Sequence, residues 1–74
     1  MEISVSFKNV YGNWLCYPMD AKAASFAKIA NNKTLTRNTL VNILAIGFRV
    51  NEVVNGRVVR TFVAGSGETL PAVA

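Results

Sequence analysis

The chain has 74 residues, 51% of them hydrophobic, and carries eight Lys or Arg against four acids for a net charge of +4. A chain of that length forms one domain and buries only about 60% of its unfolded surface, and the hydrophobic content excludes a wholly disordered chain. With no histidine and one cysteine, Cys16, tetrahedral zinc, Cys–His catalysis and an internal disulfide are excluded too.

Ile3, Val5 and Phe7 alternate with Ser4 and Ser6, the period-two pattern of a half-buried strand. The stretch NVYGN, residues 9–13, supplies turn chemistry, with Gly12 free to take a positive φ. Residues 14–17 read as a second strand stopped by Pro18, and the two strands are expected to pair as an antiparallel hairpin. Cys16, between Leu15 and Tyr17, reads as a small buried hydrophobe. The opening MEISVSFKNV has an acid at position 2 and no long apolar run. Neither a signal peptide nor a membrane span is therefore expected, and the cytoplasm is the expected compartment.

Asp20 is a candidate N-cap for a first helix over residues 21–30. Ala23, Phe26, Ala27 and Ala30 fall on one stripe, with Lys22 and Lys28 outside it, and the three alanines let a neighbouring element approach closely. Asn31 or Asn32 can take the left-handed conformation that ends a helix. The second helix, over residues 37–46, has Thr36 as candidate N-cap. Leu35 and Leu40 stand at the spacing of a hydrophobic staple. Leu40, Ile43 and Leu44 form its apolar stripe, and Gly47 is a natural residue to end it.

Residues 48–54 and 57–63 flank Asn55-Gly56, the strongest hairpin signal in the chain. Pairing around that turn sets Val53 against Val58, Glu52 against Val59 and Arg49 against Phe62. Neither face is cleanly apolar, so the far end of this hairpin is expected to project into solvent. The order β-β-α-α-β-(β) gives an α+β fold, a small antiparallel sheet with a helical hairpin packed on it. It occupies residues 1–63, and the unpatterned stretch 64–74 reads as a flexible C-terminal tail.

The four acids, Glu2, Asp20, Glu52 and Glu68, are scattered, and no spacing brings two together as a hydrolase would need. GSGET is glycine-rich but lacks the Lys-Ser/Thr ending of a phosphate loop. Neither an enzymatic activity nor a cofactor is expected. The basic residues, Lys8, Lys22, Lys28, Lys33, Arg37, Arg49, Arg57 and Arg60, bias the chain toward an acidic partner, nucleic acid or protein.

The two helices raise the question of a DNA-reading helix-turn-helix. Arg37, Asn38 and Asn42 would supply base-reading chemistry at the second helix, and Lys33 could hold a phosphate. Such motifs join their helices by three or four residues, and here the apolar positions fall into place only with a longer turn. Thr36 and Asn38 are also explained by helix-start chemistry alone. A helical hairpin that works against another protein is the simpler account. Tyr11 and Trp14 beside the Gly12 turn are candidate interface anchors.

The pattern NVYGNWLCYP…A…FAKIA…KTLTRNTL…I…IGF, within residues 9–48, resembles a group of very small phage-encoded regulators that bind host RNA polymerase in phages infecting xanthomonads. The resemblance implies a non-enzymatic protein in the host cytoplasm. It would dock on the polymerase, hinder promoter initiation and let elongating polymerase pass terminators from near the RNA exit channel, with nucleic acid of the transcription complex close by. It carries over no site residue. From the residues themselves, the candidate partner contacts are Tyr11, Trp14, Lys33, Arg37, Arg49, Arg57 and Arg60. A DNA-binding regulator using Lys33, Arg37, Asn38 and Asn42 is the alternative, and an inhibitor of a host defence complex is a third.

Overall fold

The computed structural model describes residues 1–65 and 69–73. Six elements follow in chain order: β1 (Glu2–Val10), β2 (Asn13–Pro18), α1 (Ala21–Ile29), α2 (Arg37–Ala45), β3 (Arg49–Val54) and β4 (Arg57–Phe62). The α+β class and the element order are as expected from sequence. The four strands form one sheet in the order β2-β1-β3-β4. Its outer pairs are antiparallel, but β1 and β3 run parallel, Glu2–Val5 against Arg49–Glu52, so the sheet is mixed rather than antiparallel throughout.

The helical hairpin is the reason. The Asp20 carboxylate sits at the head of α1, where Oδ1 accepts from the Ala23 amide at 2.8 Å and Oδ2 accepts from the Ser4 amide at 3.0 Å. The chain thus enters α1 beside the start of β1. After α2 it returns to the same end of β1, on the side away from β2, where the Arg49 amide donates to the Met1 carbonyl at 2.9 Å. Beginning where β1 begins, β3 runs in the same direction.

Thr36 caps α2 by accepting from the Thr39 amide at 3.2 Å. Leu35 and Leu40 are both fully buried, as a staple requires. Asn31, at φ 58°, supplies the left-handed residue after α1. By strand parity, Ile3, Val5, Cys16, Val50 and Phe62 share one sheet face, and they cluster with Ala23, Ala27, Leu35, Leu40 and Ile43 of the helical layer. The buried alanines bring α1 against β1 and β2, while α2 packs on β3.

On the opposite face Asn51, 7% exposed, donates from Nδ2 to Glu2 Oε2 at 2.9 Å and accepts at Oδ1 from the Thr61 hydroxyl at 2.8 Å. This tie joins β1, β3 and β4.

Two further features depart from the sequence reading. Val53 does face Val58, but the pairing slips at Glu52/Val53, so Glu52 faces Arg60 rather than Val59 and Phe62 faces Val50 rather than Arg49. Val59 is the extra residue of a β-bulge. In the stretch 64–74, read above as a flexible tail, Leu70 and Val73 are buried in the core and Val73 bridges Trp14 of β2. Ser66, Gly67, Glu68 and Ala74 lie outside the described residues, so the tail reading at those positions, the middle three residues of the GSGET motif and the Glu68 carboxylate fall there.

The sheet's two edges differ. The Cys16 carbonyl on β2 accepts from the Leu35 amide at 2.8 Å, and with the Trp14–Val73 bridge this covers the β2 edge. The β4 edge has no such cover among the described residues, and Phe62 is its one buried side chain.

Candidate functional site

The three described acids are all engaged inside the fold. Glu2 accepts from Asn51, Asp20 accepts from Ala23 and Ser4, and Glu52 takes Arg60 Nη2 at 2.8 Å and Nε at 2.9 Å on a single oxygen. Two cations are occupied as well. Lys8 Nζ lies 5.5 Å from the Tyr17 ring centroid, and the Arg60 guanidinium lies 4.9 Å from that of Phe62. Lys22, Lys28, Lys33, Arg37, Arg49 and Arg57 are exposed and make no ion pair among the described residues.

The candidate contacts do not converge on one place. Tyr11, 99% exposed, and Trp14 stand at the β1–β2 turn. Because β1 and β3 are parallel, Arg57 at the β3–β4 turn lies at the same end of the sheet. Arg49 lies at the opposite end, in a shallow recess with Met1, Glu2 and Lys22, and Arg60 is held by Glu52. Lys33 shares a recess with Lys28, Asn31 and Asn32 beside the interhelix connection. Arg37 and Asn38 are exposed at the start of α2. Asn42 spends one amide hydrogen on the Asn38 carbonyl at 3.0 Å.

Residues 30–36 separate the helices, seven positions where a helix-turn-helix uses three or four. The longer connection reaches back to bond β2 through Leu35. It also leaves room for a groove of about 250 Å³ between α1 and α2, lined by Phe26, Ile29, Ala30, Thr39, Asn42, Ile43 and Ile46. Phe26 and Ile29 continue into a second apolar recess with Lys22, Ser25 and Phe48. The Phe26 and Phe48 rings meet edge to face, with centroids 5.2 Å apart. Ile29 is 81% exposed and Ile46 64%.

Sequence reasoning missed this groove because it followed the apolar residues that face the sheet. The available signal was surplus. Ile29 and Ile46 are large apolar residues at the C-terminal ends of their helices, and although the Ile46 amide closes α2 on the Asn42 carbonyl, neither side chain is buried in the core.

Cys16 is fully buried. Burial first, and the nearby Glu52 carboxylate second, push its pKa up to about 12, so the thiol stays protonated near neutral pH and is a poor nucleophile. No cluster of three or more metal-ligating side chains occurs among the described residues, and no described helix is long and apolar enough to cross a membrane. Set against family models, curated proteins and solved structures, the chain finds no match.

Proposed function

We propose that this chain is a non-enzymatic docking protein that works by binding another protein, and that bacterial RNA polymerase in the host cytoplasm is that partner. One observation carries the docking part. The helical layer presents a concave apolar strip in which Ile29 and Ile46 stand exposed beside the half-buried Phe26, with Lys22 lining its continuation, and the two isoleucine side chains are not part of the core. Contiguous exposed apolar surface of this kind marks interaction sites. The polymerase part rests on the resemblance within residues 9–48 and on the cation excess, which suits an acidic or mixed protein face. Docking there would obstruct promoter initiation or reshape the path of the emerging RNA.

Titrating labelled protein against purified bacterial RNA polymerase tests this directly. Saturable binding with fewer transcripts from a promoter template, or with read-through at a terminator, is the expected result. Absence of binding at micromolar polymerase overturns the polymerase reading. A sequence-specific shift of promoter DNA without polymerase, lost in Arg37→Ala or Asn38→Ala, would replace it with the DNA-reading function.

A further inference from the structure

We propose that the groove between α1 and α2 is the seat of an acidic amphipathic helix contributed by a protein partner. The inference rests on the docking reading and adds to it the shape and charge of what is bound. Each helix has nine residues, about 13 Å of length. That matches an incoming helix of two to three turns with apolar anchors at i, i+3 or i+4, and i+7. Two helices side by side form a trough, and the complement of a trough is a ridge. Phe26, Ile29, Ile43 and Ile46 supply its apolar walls, while Thr39 and Asn42 offer hydroxyl and amide groups to polar atoms on the same ridge.

Charge complementarity selects the sign of the partner. The helices carry Lys22, Lys28 and Arg37 and not one acidic residue. The nearest acid in sequence, Asp20, is consumed by two backbone amides. Lys22 lines the recess that continues the groove past Phe26 and Ile29. Glu2, the acid that shares a recess with Lys22, already accepts from Asn51, so an occupant with Glu or Asp flanking its apolar stripe finds a cation at that flank. A second copy of this helical layer meets like charge, which argues against self-association here. A lipid surface is planar and lacks the ridge that the trough complements.

The open β4 edge is a weaker docking candidate. Its bulge at Val59 and the arginines at both flanks interrupt the flat ladder that strand addition needs.

The test uses the full chain and a synthetic helical peptide of about 15 residues. The peptide bears leucines on one stripe and glutamates on both flanks, and a second peptide has lysines in place of the glutamates. Anisotropy titration should show saturable binding of the glutamate peptide, weakened by salt. Amide chemical-shift changes should gather on α1 and α2 around Phe26, Ile29 and Ile46. Ile29→Glu and Ile46→Glu should each weaken binding roughly tenfold or more. Their melting temperatures should hold, because both side chains are exposed. Lys22→Ala with Lys28→Ala should mainly flatten the salt dependence.

Several results would overturn the inference: equal binding of the lysine peptide, no saturable binding, or shifts on another face. So would binding to phosphatidylglycerol vesicles with none to peptide, or concentration-dependent dimerisation abolished by Ile29→Glu. The two readings fail separately. Polymerase binding untouched by Ile29→Glu and Ile46→Glu removes the groove and leaves the docking protein, whereas peptide binding without polymerase binding removes only the named partner.

Discussion

Both hairpins turn through two residues of positive φ, Tyr11 at 50° and Gly12 at 82° in the first, Asn55 at 52° and Gly56 at 78° in the second. That is the primed geometry whose twist matches the strands it joins. Beyond the turns the hairpins diverge. β1 and β2 pair without a slip, and Ile3, Val5 and Cys16 are fully buried. β3 and β4 slip at Glu52/Val53, and β4 is exposed along its length until Phe62. The difference lies in what covers them. The first hairpin has α1 above it, and both the interhelix connection and Val73 along its outer edge. The second has α2 over the start of β3 and nothing described along β4. Turn chemistry therefore specifies that a hairpin forms, and neighbouring elements decide how much of it becomes core.

The strongest way to break this contrast is to remove the one deep anchor of β4. Phe62 is 1% exposed and meets Phe7 edge to face, with centroids 6.2 Å apart. Phe62→Ala should cost about 3–5 kcal/mol, a large share of the stability of a domain this small, and urea unfolding will measure it. Val58→Ala and Val59→Ala, on the exposed stretch of the same strand, should stay within about 0.5 kcal/mol. A loss at Val58 comparable to that at Phe62 would mean that β4 is held along its whole length.

Asn51 tests whether the second hairpin is also tied from the polar face. Asn51→Ala removes the hydrogen bonds that join Glu2 on β1 to Thr61 on β4. The expected cost is about 1–3 kcal/mol, together with faster amide exchange in β4 than in β2. If exchange rises equally in both strands, the tie belongs to the whole sheet rather than to this hairpin.

Cys16 reports on the first hairpin through pH. Its thiol is held protonated in the fold up to about 12, against an ordinary value of 9.0, so the protonated form favours folding. That contribution is complete below pH 9 and is lost as pH rises toward 12, by roughly 1 kcal/mol at pH 10. Cys16→Ala, compared with the parent chain between pH 8 and 10.5, should lose stability less steeply over that interval. Identical slopes would show that the thiol does not titrate on unfolding as its burial requires.

Much of the frame was legible in the sequence because its signals are local. Asp20 and Thr36 cap as their side chains dictate, Leu35 and Leu40 form the staple, and Asn55-Gly56 turns as its φ preferences demand. The missed features depend on elements distant in sequence. The parallel β1–β3 pairing follows from where the helical hairpin delivers the chain. Leu70 and Val73 are ordinary apolar residues in a patternless stretch, and only the presence of uncovered core explains their burial. The groove was hidden for a related reason: Ile29 and Ile46 count as core-forming residues in any composition, and only the placement of both helices shows that they face outward. The candidate cations were legible as exposed charges, but their separation to opposite ends of the sheet was not.

The bulge carries the smallest predicted effect and marks where the registers of the two hairpins part. In an unbroken register Glu52 would face Val59, leaving a half-buried carboxylate on the core face, near Cys16, without a cation opposite it. Inserting Val59 as an extra residue moves Arg60 into line with Glu52, and Arg60 then also lies over the Phe62 ring. The same insertion disturbs the flat ladder at the open edge, as an exposed strand requires. Arg60 remains 44% exposed at its side chain, so solvent screens the pair, and Arg60→Ala should cost no more than about 1 kcal/mol, less in high salt. Its more telling consequence is at a distance. Without Arg60 the Glu52 charge bears on Cys16 uncompensated, so the alkaline titration of Cys16 should move further up, whereas Glu52→Gln should bring it down. Opposite shifts in those two variants would show that the Glu52–Arg60 pair of the second hairpin tunes a thiol of the first whose pKa is raised chiefly by burial.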